Sequence, residues 1–349
     1  MKALATLGHR VLFLERDVPW YAEHRDQARP EGCRVELYGT LEELQTKFER
    51  EVRDADVVMV GSYVPDGAEV LNWVLEKARG LKIFYDIDTP VTLARLEAGE
   101  KTYLTREAIP ELDAYLSFSG GAALTRLERE YYARVALPLF CSVDPELYAP
   151  SERAPTRDLG YLGTYCADRQ AALERLLLEP ARRLPERRFI IAGACYPPEA
   201  WPANVERVEH VPPGDHSSFY GSLRYTLNVT RAHMIDVGHS PSVRLFEAAA
   251  CGVPIIGDAW PGIEDFFEPK REILLANEAD EVEDYLERLR EPERKSIARR
   301  ARHRVLGEHT ALHRAREFEG YLRRLGAAQS SPVSAKLPPA VGRAKMVGS

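Results

Sequence analysis

Apolar and polar positions along the chain follow two alternating rhythms. Short apolar runs of strand length give way repeatedly to stretches with helical spacing. In the first half, strands are predicted at Val11–Leu14, Arg34–Tyr38, Asp56–Val60, Lys82–Tyr85, Ala114–Phe118 and Leu137–Cys141. Helices are predicted at Leu41–Arg53, Gly67–Arg79 and Ala122–Tyr132. The second half repeats the rhythm, with strands at Asp158–Leu162, Phe189–Ala192, Tyr225–Val229 and Pro254–Gly257. Its predicted helices are Asp168–Leu178, Val243–Cys251, Glu281–Leu289 and Glu293–Leu325. Strands that alternate with helices build parallel sheets from βαβ units. The expected fold class is therefore α/β, with one Rossmann-type sheet per half.

A stretch rich in proline and charge, Pro145–Pro155, marks the boundary. It divides the chain into an N-terminal domain over 1–148 and a C-terminal domain over 155–326. Residues 327–349 are rich in Ser, Pro, Ala and Gly without periodicity and read as a disordered tail. Met1–Leu7 reads as the end of a first helix that leads into the second strand of a doubly wound domain. The first strand and its glycine loop are then missing, and a late annotated start is the expected reason.

The 349 residues suit two domains, and 45% hydrophobic content supplies a core for each. No apolar run approaches the roughly 20 residues that cross a bilayer. The net charge of −7 lacks the basic footprint of a dedicated nucleic-acid binder. Five unpaired-looking cysteines, Cys33, Cys141, Cys166, Cys195 and Cys251, fit reduced thiols in the cytoplasm better than a disulfide or zinc framework. The histidines have no tight metal-ligand spacing. The basic run Arg299–Arg304 reads as a helix face toward solvent or acidic neighbours, with a peripheral membrane contact as the alternative.

The most informative segment runs from Ser240 to Asp258. Ser240 or Ser242 caps a helix, Pro241 suits its first turn, and Gly252 ends it. A helix that opens after a small-residue loop favours an anion at its free N–H groups, here around Ser240–Val243. Arg244 in that first turn is locally unfavourable unless an anion lies nearby. Glu247, about one turn inside among small and apolar residues, needs partners. Two sugar hydroxyls would serve, and so would a neighbouring arginine.

These residues resemble a known family. Phe246-Glu247-Ala248 with Gly252-Val253-Pro254 is the pattern of the C-terminal domain of GT-B glycosyltransferases. More closely, the chain resembles the CgeB-like (spore-maturation type) group. The shared blocks are Asp86–Thr92, Ser119-Gly120-Gly121, Ser142–Pro145, Leu162–Tyr165 and Asn228–Arg231. The resemblance implies a GT-B-like fold, two Rossmann-type domains facing across a cleft. It implies transfer of a sugar from a nucleoside-diphosphate sugar to an acceptor it does not identify, with no cofactor and no obligate metal. Glu247 would hold the ribose. Arg169, with Arg231 and Arg244, would meet the diphosphate beside Gly163, Thr164, Ser240, Ser242 and Val243. The loop Asp258–Gly262 would flank the donor, Trp260 stacking on it unless it is a core-edge aromatic.

One departure stands out. The large retaining group has a second Glu eight positions before the first, and here that position is His239. His239 and its loop would take over sugar contacts, or the donor differs. On the acceptor side the candidates are Asp86, Asp88, Thr89, Gly120 and Gly121. Asp88 serves there as a general base, or Thr89 or Asp88 merely caps the following helix; a divalent metal held by Asp86 and Asp88 is the less favoured reading. Two rival readings are a nucleotide-sugar epimerase on the same fold and a degenerate, non-catalytic nucleotide-sugar-binding protein.

Overall fold

The computed structural model describes residues 1–19, 31–100, 102–198 and 201–330. Its strands fall into three parallel sheets. In the first half, β1 (Val11–Arg16) pairs with β2 (Cys33–Tyr38). Separately, β3 (Val57–Gly61), β4 (Leu81–Asp86), β5 (Ala114–Ser117) and β6 (Ala136–Pro138) form a four-stranded sheet in that order.

The second half holds six strands: β7 (Arg157–Leu162), β8 (Phe189–Ala192), β9 (Val205–Val208), β10 (Leu223–Asn228), β11 (Ile255–Gly257) and β12 (Leu274–Leu275). Their order is β12-β11-β10-β7-β8-β9. Two of them, β9 and β12, escape the sequence reading because they are short edge strands. The helices His216–Gly221 and Ala232–Val237 also escape it, being too short for a period to register.

Local chemistry explains the helices. Thr40 caps the helix Leu41–Asp54 by accepting the Glu43 N–H at 3.1 Å, and Glu43 reaches back to the Gly39 N–H. Leu44, Phe48 and Val52 lie four residues apart, so they share one face and bury it. Glu278 and Glu281 form a reciprocal capping box at the start of Ala279–Glu287. The predicted helix Asp168–Leu178 is more interrupted than its pattern suggests. It is α-helical over Ala167–Leu173, passes through a π-helical turn at Glu174–Leu178, and resumes at Glu179–Arg183.

The long C-terminal helix is a correction. It breaks at His309–Thr310 into Glu291–Glu308 and Ala311–Ser330. The second piece returns to the first half, where Phe318, Tyr321 and Leu325 pack on Ile83, Ala114 and Leu116. The sequence reading placed it with the second half because its period says which face is apolar and not which sheet that face meets. Helical structure also persists to Ser330, past the expected onset of the tail; the remaining tail residues, 331–349, lie outside the described residues. At the break the chain pairs with the other inter-half connection. Val143 donates to the His309 carbonyl at 3.1 Å and accepts from the Ala311 N–H at 2.9 Å.

His309 at this crossing is no solvated helix residue. It is buried, stacks on Phe246 with centroids 4.8 Å apart, and contacts Arg314 through Nδ1 at 2.6 Å. Burial, aided by the charge of Arg314, pushes its pKa down to about 4. The unfolded chain therefore takes up a proton near pH 6.5 that the folded chain refuses until about pH 4. Stability should fall as pH drops through that window, and His309→Gln should flatten the slope. Melting temperatures between pH 7 and 4.5 test this, and equal slopes in the two proteins would refute it. Phe318→Ala should cost about 3 kcal/mol in urea unfolding, the usual loss for a buried aromatic ring.

Candidate functional site

The carboxyl ends of the strands from both halves meet along one seam. The loop after β5 touches the loop that precedes the helix Val243–Ala250. The Gly120 N–H donates to the His239 carbonyl at 2.9 Å, and the Ser240 hydroxyl donates to Ser119 Oγ at 2.6 Å. The Cys141 thiol reaches the Pro241 carbonyl at 3.2 Å. Open α/β sheets bind ligands at this edge.

Ser242 is the helix cap, its Oγ accepting the Arg244 N–H at 3.4 Å, and Val243 is the first helical residue. Ser240 is not a cap. It is buried, and its hydroxyl belongs to the seam. Gly163 and Thr164 follow the end of β7. The Gly163 carbonyl accepts the Tyr196 hydroxyl, and the Thr164 carbonyl accepts Arg169 Nη2 at 2.9 Å. Gly193 lies so close that a Cβ there would stand 2.0 Å from the Gly163 oxygen, so only glycine permits this backbone approach.

Two guanidiniums converge here. Burial pushes the Tyr161 and Tyr196 phenols up from their ordinary range, and the charges of Arg169 and Arg244 pull both back down. Both cations therefore act on the same two rings. The Nε atoms of Arg169 and Arg244 are buried and make no hydrogen bond, and neither guanidinium has a carboxylate at ion-pair distance among the described residues. A buried donor without a partner is costly, more so when charged.

Arg231, in contrast, is already neutralised. Its Nη1 stands 3.5 Å from Asp88 and its Nε 3.5 Å from Asp168, so it ties the two halves together instead of standing free for a diphosphate. Asp88 also accepts the Tyr63 hydroxyl. Asp86 is fully buried and accepts from the Tyr115 hydroxyl and the Asp88 N–H; burial pushes its pKa up. Thr89 is equally buried, bonded to Ser117 at 2.7 Å. Asp86 and Thr89 thus shape the strand end from beneath and present no polar group to an acceptor. Asp88 stands at the helix N-cap position, but its side chain makes no capping bond.

Glu247 is 8% exposed, and both its oxygens have partners. Oε1 accepts the Tyr148 hydroxyl at 2.9 Å, Oε2 accepts the Tyr220 hydroxyl at 3.1 Å, and His216 Nδ1 lies 3.9 Å away. Two phenols thus satisfy the carboxylate where the sequence reading placed two sugar hydroxyls. Tyr148 comes from the linker and Tyr220 from a six-residue helix, too far away in sequence for spacing to reveal. Trp260 is also corrected. It is 4% exposed and packs against Phe266 in the core, so its face is not offered to a ligand. Gly262 and Gly121 flank His239 instead, and a Cβ on either would collide with the imidazole. His239 Nδ1 lies 2.9 Å from an Asp265 carboxylate oxygen, a neighbour that no motif had singled out.

A second groove opens at the opposite, amino end of the second sheet, lined by Arg157, Asp158, Arg224, Glu291 and Arg294. Arg157 pairs with Glu206, Arg224 with Asp158, and Arg294 with Glu291. The basic run Arg299–Arg304 likewise spends its charge locally: Arg302 on the Ala250 carbonyl, Arg300 on the Arg271 carbonyl, Arg304 on Glu272 and Glu308.

Residues 169–320 match the family model described as Glycosyl transferase-like. Sucrose-phosphate synthase from Thermosynechococcus elongatus superposes with a TM-score of 0.65 at 14% identity, covering 94% of this chain and 92% of that one. The Anabaena protein HepE in complex with UDP and glucose gives 0.69 at 11% identity, covering 93% and 94%. AviGT4, a glycosyltransferase involved in avilamycin A biosynthesis, gives 0.59 at 19% identity, covering 94% and 88%. The fold is GT-B, and its second half holds a glycosyl transferase-like domain. The match of residues 169–320 to a glycosyl transferase-like model agrees with the expected enzyme class, a glycosyltransferase. No curated protein matches the chain. No helix among the described residues is long and apolar enough to cross a membrane.

The tyrosine partners turn Glu247 into a structural probe. Glu247→Ala should destabilise the protein by about 2 kcal/mol, because the buried Tyr220 hydroxyl loses its acceptor. Glu247→Gln, which keeps an acceptor, should cost less. Thermal denaturation of both variants measures this, and an unchanged Glu247→Ala melting temperature would contradict it.

Proposed function

We propose that this glycosyltransferase moves a sugar from a nucleoside-diphosphate sugar to a hydroxyl-bearing acceptor, without an obligate metal. The observation that carries the reading is the pair of guanidiniums, Arg169 and Arg244, with buried Nε atoms and no anionic partner among the described residues. A diphosphate supplies what such a pair lacks: two negative groups and several acceptor oxygens. The capped start of the helix Val243–Ala250 adds its dipole at the same place. As the bond to the sugar breaks, charge builds on the leaving diphosphate, and fixed cations stabilise it there without reorganising.

HepE was solved with UDP-glucose, which supports a uridine donor as the first to test. Arg231 is held by Asp88 and Asp168 until a donor competes for it, so it is a secondary contact. Glu247 would take the ribose only by sharing oxygens that already serve Tyr148 and Tyr220. The assignment to the CgeB-like group rests on the sequence blocks around Asp86–Thr92 and Asn228–Arg231. Both rivals, an epimerase and a non-catalytic binder, predict no sugar transferred to an added acceptor.

Arg169→Met and Arg244→Met should each weaken UDP-glucose binding by about 10- to 100-fold, the loss of a charge-assisted bond. Each should leave the melting temperature equal or higher, since a buried Nε–H without a partner is removed. Calorimetry and thermal denaturation on the same samples test both halves. Unchanged affinity in both variants would remove the diphosphate from this edge.

A further inference from the structure

Large apolar side chains grouped on a surface mark a place where another molecule binds. Among the described residues, Tyr63 (43% exposed) and Ile87 (41% exposed) are two such side chains, and both follow strand ends at the seam. β3 and β4 pair in register up to Gly61 and Tyr85, and the same offset sets Tyr63 beside Ile87. Two bonds carry the pairing past the strand ends. The Ser62 N–H donates to the Tyr85 carbonyl at 2.9 Å, and the Ile87 N–H donates to Ser62 Oγ at 3.1 Å.

Tyr63 is fixed there against its own backbone preference. Its φ of +65° is in the left-handed region, which is uncommon for a bulky residue. Its ring lies 5.0 Å from the Tyr103 ring. Its hydroxyl donates to Asp88, which stands 3.5 Å from Arg231 of the second half. The ring thus bridges the core of the first half and the seam, and its polar end is occupied.

The other polar groups of this wall are occupied as well. Thr92 and Tyr103 bond each other at 2.6 Å, Thr89 bonds Ser117, Asp86 accepts from Tyr115, and Ser62 Oγ serves Ile87. A sugar ring laid here would cover its hydroxyls with groups that cannot answer them, and an unanswered polar group is costly. An aromatic ring meets no such penalty and gains the face of a tyrosine and the side of an isoleucine.

We infer that Tyr63 and Ile87 form the acceptor platform of the transfer, and that the acceptor is a hydroxylated aromatic compound. This rests on the reading of the chain as a nucleotide-sugar transferase. The acceptor ring stacks on Tyr63 with Ile87 along its edge. Asp88, shared by Tyr63 and Arg231, marks the polar end of the platform, where the acceptor hydroxyl belongs.

Umbelliferone, a fluorescent phenol, probes the platform in the full chain saturated with UDP. Fluorescence anisotropy should show it binding at least about tenfold more tightly than methyl glucoside, used as the competitor. Tyr63→Asn suits the left-handed backbone and should weaken umbelliferone binding by about tenfold. Tyr63→Phe, which restores the ring, should recover most of that loss. Ile87→Ser, at an exposed position, should weaken binding by about threefold. Calorimetry should find UDP-glucose affinity within about threefold of wild type in Tyr63→Asn and Ile87→Ser. Given UDP-glucose, the wild-type protein should convert umbelliferone to its glucoside.

Methyl glucoside binding as tightly as umbelliferone would overturn the platform, as would umbelliferone affinity unmoved by Tyr63→Asn and Ile87→Ser. A protein that binds UDP-glucose yet glucosylates methyl glucoside, or neither compound, would overturn the acceptor class. Each of these leaves the donor site standing. Failure to bind UDP-glucose or any other nucleotide-sugar strikes the donor site itself, and the acceptor role falls with it.

Discussion

The hydrogen bond from Gly120 to the carbonyl of His239 joins the two halves at the place where their strands end. Everything proposed for the site depends on the register it sets. It fixes a turn whose backbone would otherwise relax, and the adjacent Ser119–Ser240 bond keeps that contact dry and short. With the turn fixed, an imidazole from the second half lies against a glycine of the first. Neither half alone would hold that ring.

The charges along this edge divide into two kinds. Arg231 has both its partners in the protein and acts as a clasp between Asp88 and Asp168. Arg169 and Arg244 have no carboxylate partner among the described residues, although their Nε atoms are buried and unbonded. A protein that can satisfy one arginine twice over yet leaves two others unsatisfied holds those two for something outside itself. The difference is invisible in the sequence, where all three are arginines near strand ends or helix starts.

Much of the architecture was legible because period and punctuation agree. Phe189–Ala192 is a strand by its apolar run, and the helix Val243–Ala250 is bounded by Ser242 and Gly252. Short edge strands such as Leu274–Leu275 have too few residues for a rhythm. At the site, residue types pointed to the right edge but seldom to the right partner. Trp260 and Thr89 have chemistry a ligand could use, and burial withdraws both. Glu247 was read from its surroundings as needing partners, sugar hydroxyls or a neighbouring arginine. It has them, from tyrosines that lie 99 and 27 residues away in sequence. Sequence specifies the demand, and only the fold says what meets it.

The two connections between the halves run side by side where Val143 pairs with His309, Thr310 and Ala311. A body suspended by two adjacent threads turns easily about the line through them and resists twisting. Both chain crossings therefore sit at one place, beside the stack of His309 on Phe246 that anchors the helix Val243–Ala250.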